Sequence, residues 1–222
     1  MIAQTGKFLQ INEPAGRVRM AAVLFGLAGL LFILYPVIRP FSDEITLSGA
    51  EAFGSVNWIV AHVLAMLGFM FLTLGLFGLY LKLRECAVNR LAYFAFIIGF
   101  LGTGLTLPYY GVEVFGLYAI GQEALKQHNA SLLSLADDIR FGAGFILIVL
   151  GLLLLASAAI LAAAAIWKSR MLPKWSGIPL VLGFLLYLPQ FLAGQPLRIA
   201  HGLLVAVGCI WIAFVMWKEE RN

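Results

Sequence analysis

Five residues carry the side chains with which this chain could bind or transform something: Glu113, Arg140, His62, His201 and Tyr110. Each falls inside, or at the end of, a long apolar run. An ionisable group at the centre of a membrane span costs about 2.5–3.5 kcal/mol on insertion scales, so the few that occur there are candidates for function. Arg140 can neutralise Glu113 or hold an anionic ligand, because a guanidinium makes forked pairs with carboxylate and phosphate. His62 and His201 enter their runs at similar depth. Two neutral imidazoles could ligate haem iron or a divalent metal, or each could hydrogen-bond a neighbouring helix. Glu113 or a histidine could also act as an acid or base. Walker, Rossmann, HExxH and GxSxG patterns are all absent from the sequence. Cys86 and Cys209 are too few and too far apart for a metal quartet and read as free thiols. The acidic stretch with Asp43, Glu44 and Glu51 lacks EF-hand spacing and reads as solvated. Asn129-Ala-Ser131 is a lone glycosylation match without further implication. No cofactor is assigned by these residues.

The elements that must position them follow from composition. The chain has 222 residues, 62% hydrophobic and 12% charged, with a mean hydropathy of +0.96. Soluble domains carry about 25% charged residues. So little charge cannot wet a globular surface, which excludes a water-soluble enzyme, a disordered chain, a coiled coil and a disulfide scaffold. The net charge is +4, yet the basic residues lie in short loops beside apolar runs. That placement excludes a nucleic-acid partner and makes the lipid bilayer the first partner.

A spanning helix needs roughly 20 apolar residues. The runs here are continuous rather than alternating, so the expectation is an all-α integral membrane bundle and not a β-barrel. Six spans are expected, at about 20–38, 57–81, 91–110, 141–167, 178–193 and 197–217. They make one transmembrane domain over 20–217, flanked by a cytoplasmic segment 1–19 and a tail 218–222. A cleaved signal peptide is not expected, because the first run starts late and lacks a small-residue cleavage site. With both termini cytoplasmic, eleven Lys and Arg fall inside and four outside: Arg39, Lys126, Arg140 and Arg198. This is the positive-inside bias. Trp58, Trp167, Trp175 and Trp217 fall near span ends, as an interfacial belt places them. The third run continues past Pro108 and Gly111. A break is expected there, followed by an outer interfacial helix over about 112–127.

Small residues recur at packing spacing: Ala61, Ala65, Gly68 and Gly75; Ala92, Ala95, Gly99 and Gly102; Gly144, Gly151 and Ala162 to Ala165. They suit close helix packing within the chain, or a homo-oligomeric seam. Tyr35-Pro36, Leu107-Pro108 and Leu188-Pro189 end the odd-numbered spans, and Ala61-His62 and Ala200-His201 open two even ones. This pattern suggests a repeat of three helical hairpins.

Ser169-Arg170-Met171-Leu172-Pro173-Lys174-Trp175, set between two apolar runs, resembles the cytoplasmic loop of uncharacterised bacterial multi-pass membrane proteins of a domain-of-unknown-function type. The resemblance covers about the last 80 residues. It implies a bacterial inner (plasma) membrane and brings no reaction or site residue. The leading expectation is an outer-half pocket that binds or transports a small amphipathic or lipid-like ligand. The alternatives are a haem or metal protein, a membrane-embedded enzyme and a structural or accessory subunit.

Overall fold

In lipid, the backbone of a single apolar segment can satisfy its own hydrogen bonds only as a helix. The computed structural model describes residues 13–218, and they are helical with no strand among them. Eight α-helices follow in order: α1 (Glu13–Ile38), α2 (Leu47–Phe53), α3 (Val56–Leu83), α4 (Asn89–Gln127), α5 (Leu135–Phe141), α6 (Ala143–Ser169), α7 (Ile178–Leu185) and α8 (Gln195–Lys218). Short 3-10 turns lie at Ala130–Ser134, Lys174–Gly177 and Pro189–Leu192. Five helices are long and apolar enough to cross a membrane: α1, α3, α4, α6 and α8. The expected segment 1–19 lies mostly outside the described residues, as does the tail 218–222 apart from its first residue.

Packing joins α1 to α3 and α8, α3 to α4, α4 to α6, α6 to α7 and α7 to α8. Successive neighbours thereby close a ring. Its interior is aliphatic and aromatic, from Phe25 and Phe69 through Leu76 and Leu155 to Ile212. Where α4 crosses α6, backbone meets backbone: a Cβ on Gly102 would stand 2.8 Å from the Gly151 carbonyl oxygen. The small residues Ala61, Ala65, Gly68, Gly75, Ala92, Ala95, Gly99, Gly102 and Gly151 are all buried within this one chain.

Three expectations are corrected. The break at Pro108 and Gly111 is absent, and α4 runs through both as one 39-residue helix. The continuation over 112–127 is no separate surface helix, because Val114, Leu117, Gly121 and Ala124 bury a stripe against α2 and the 130–134 turn. A Cβ on Gly121 would lie 2.5 Å from the Gly54 nitrogen, so α2 sits directly on the α4 backbone. A second small core results, of Ala50, Phe53, Trp58, Leu117, Ala124, Leu133 and Ala136. Next, the stretch 178–193 is no single long helix. α7 stops at Leu185 after eight residues, the position whose carbonyl the ring of Pro189 would strike in a continued helix. Trp58, near the start of α3, is fully buried, while Trp167, Trp175 and Trp217 are exposed in part.

Candidate functional site

The second core forms a cap over one end of the bundle, and the site lies beneath it. A loop after α1 supplies the first part. Asp43 accepts from the backbone N–H groups of Ile45 and Thr46, both at 2.9 Å, and from the Thr46 hydroxyl at 2.8 Å. Those donors hold the exposed Asp43 carboxyl down at about 2. Thr46 in turn caps α2 by accepting from the Ser48 N–H. This tight turn sets Glu44 at φ 55°, a left-handed conformation that costs a non-glycine residue roughly 1–2 kcal/mol. The backbone so bent points Glu44 inward.

Glu44 is held by two arginines. Arg39 Nη2 donates to its Oε1 at 2.8 Å, and Arg140 Nη1 donates to its Oε2 at 2.5 Å. Arg140, on α5, also donates from Nε to Glu113 Oε1 at 2.6 Å and from Nη2 to Oε2 at 3.3 Å. The expected Glu113–Arg140 pair therefore exists, with Glu44 as a third member. Burial works against the Glu44 charge, but Arg140 and Arg39 outweigh it and the carboxyl is lowered. Burial likewise opposes the Arg140 charge, and Glu113 followed by Glu44 overcomes it, so this guanidinium is held more firmly protonated than usual.

The α3 side completes the network. His62 is buried and its Nδ1 lies 2.8 Å from the Trp58 carbonyl oxygen. With Nδ1 donating there, Nε2 faces Glu113 Oε2 at 3.8 Å. Trp58 donates its indole N–H to the Glu113 carbonyl oxygen at 2.7 Å. One residue thus fixes both the imidazole and the backbone that carries the carboxylate.

These side chains surround a cavity of about 260 Å³. Glu113, Arg140, His62 and Tyr110 line it, together with Arg39, Glu44, Arg198, Tyr35, Tyr109 and three phenylalanines. Three guanidiniums face two carboxylates, leaving one positive charge in excess. Two of the phenylalanines, Phe141 and Phe145, are also 69% and 42% exposed on the outer surface of the bundle.

His201 is not part of this cavity. It lines a smaller adjoining cleft with Tyr187 and Gln190, and its Nε2 lies 2.8 Å from the Gly183 carbonyl oxygen. Tyr187 stands edge-on to His201 at 5.0 Å between ring centres, and its hydroxyl meets that of Tyr110 at 3.1 Å. The tyrosines therefore stand between the two histidines, which line different cavities. Among the described residues no group of three or more His, Cys, Asp or Glu is placed to hold a metal ion.

Sequence reasoning passed over Arg39, Glu44 and Arg198. The signal for two of them was in the charge count. Three of the four basic residues expected on the outer side, Arg39, Arg140 and Arg198, line this one cavity, and only Lys126 stands apart. Comparison with protein-family models, with curated proteins and with solved structures found no match for this chain.

Proposed function

We propose that the chain is a bacterial inner-membrane protein that binds, or carries across, a small amphipathic or lipid-like ligand through the cavity beneath the cap. The observation that carries this reading is the cavity's mixed lining. Ion-paired arginines and carboxylates line it together with Phe141 and Phe145, which are exposed on the bundle surface. A polar head beside an apolar wall is the complement of an amphipathic molecule.

Six crossings with both ends cytoplasmic belong to the same proposal. The apolar stretch 174–192, an eight-residue helix between two 3-10 turns, supplies the sixth crossing in this reading. The matching prolines and Ala-His pairs support a triplicated hairpin, and the basic loops support the orientation. The position of Glu113 agrees with an interfacial site. It lies about 36 Å along α4 from Asn89 at roughly 1.5 Å per residue.

Photocrosslinking tests the reading. A benzoylphenylalanine in place of Tyr109, half-buried in the cavity wall, is expected to capture one selected lipid or amphipath from native membranes. The same probe at Leu153, exposed on α6, is expected to sample bulk lipid. No adduct at position 109, or adducts matching the bulk mixture, would overturn the proposal.

A further inference from the structure

We infer that the ligand of this cavity is a lipid of net negative charge, its head a phosphate monoester or a carboxylate that meets Arg39 and Arg198, and that its chains leave past Phe141 and Phe145. The inference rests on the cavity being a ligand site and names the chemistry that fits it.

Charge decides the head. Arg140 is already paired with two carboxylates, with Nε and Nη2 on Glu113 and Nη1 on Glu44. It is scaffold rather than receptor. Arg198 gives Nε to the Ala193 carbonyl and Nη2 to the Phe191 carbonyl, at 2.8 and 2.6 Å. It makes no ion pair with a carboxylate among the described residues, so it is the cavity's excess cation. Arg39 is 6% exposed, and its Nε–H meets no acceptor. The two guanidiniums share one ring: Arg39 lies 4.8 Å and Arg198 5.2 Å from the centre of Phe41. An unbalanced cation beside a membrane interior is costly. An oxyanion in the cavity that Arg39 and Arg198 both line would neutralise the excess.

Size and walls decide the rest. A cavity of about 260 Å³ falls under the roughly 300–1,000 Å³ of pockets that enclose a drug-sized molecule. It admits a head, not two acyl chains. The chains need an exit into lipid, and α5 and α6 part at Gly142, directly between Phe141 and Phe145. Those two rings line the cavity and face outward at once, so they form the side wall a tail would cross.

The test uses the full chain in phosphatidylcholine nanodiscs doped with phosphatidic acid or oleate, with retained lipid counted by native mass spectrometry. One anionic lipid per chain is expected, preferred about tenfold over phosphatidylcholine, as a charge-assisted hydrogen bond implies. Arg198→Gln should abolish that preference. Arg198→Lys, which keeps charge but not the fork, should lose part of it, and Lys126→Gln on the cap surface none. Displacement of the anionic lipid by excess inorganic phosphate would overturn the lipid half in favour of a free anion from water. Equal retention of all three lipids, with the adduct at position 109 intact, would overturn the anion assignment and leave the cavity as a ligand site. Loss of both retained lipid and that adduct would remove the two together.

Discussion

Arg140 bridges chain segments 27 and 96 residues away, to Glu113 and Glu44 respectively. Removing one partner of a buried pair strands the other charge, at a cost of about 3–5 kcal/mol. Glu113→Leu and Arg140→Leu are each expected to destabilise on that scale. The double variant is expected to cost less than their sum, by about 1–3 kcal/mol of coupling. Denaturant unfolding in a fixed detergent measures all three, and strict additivity would show the pair to be uncoupled. The Glu113–Arg140 half of this network was legible in the sequence, because a lone carboxylate and a lone guanidinium in apolar runs point to each other. Glu44 was not. Its loop is acidic enough to pass for solvated surface, and only the left-handed backbone at Glu44 turns the carboxylate inward. No residue type announces a positive φ at glutamate. His201 was grouped with His62 because both lie at one depth. Depth along a helix axis says nothing of which neighbour a side chain faces, and the two tyrosines stand between them.

Helix existence was plain from the length and continuity of the apolar runs, while helix ends depended on packing. Pro108 costs α4 one hydrogen bond, yet the helix continues because α2 and the 130–134 turn hold its far half in line. In contrast, α7 stops at Leu185, four residues before Pro189. The same residue type therefore has opposite outcomes, decided by contacts that sequence pattern does not carry. The α4–α6 crossing gives the clearest expectation at this scale. A methyl at Gly151 would stand 2.9 Å from the Gly102 carbonyl oxygen, so Gly151→Ala should cost about 1–3 kcal/mol as overpacking. Gly144→Ala on the same helix would meet the Tyr109 ring at 3.7 Å and the Ile139 carbonyl oxygen at 3.9 Å, both ordinary contacts. It should be near neutral in the same thermal unfolding measurement. Equal losses from the two would place the helix contact elsewhere.

Among the described residues the bundle carries a cap at one end, and the proposed orientation puts that cap outside. In a background with Cys86 and Cys209 replaced, Ser131→Cys on the cap should react with a membrane-impermeant maleimide on intact cells. Glu85→Cys, exposed in the α3–α4 loop, should react only after permeabilisation. The reverse pattern would invert the topology. Composition alone made the membrane class legible. The cap was not, since α2 and α5 have only seven residues each and fold only as part of the small core they share with α4.

α4 is one rod of 39 residues, about 58 Å long, or nearly twice the hydrocarbon thickness of a bilayer. Its lower half is wedged against α6 at Gly102, its upper half carries the cap, and Glu113 sits between them. A stiff beam gripped at one end and loaded at the other transmits a push on its free tip to whatever is fastened midway. A load on the cap would thus be carried to Glu113, the carboxylate that anchors Arg140.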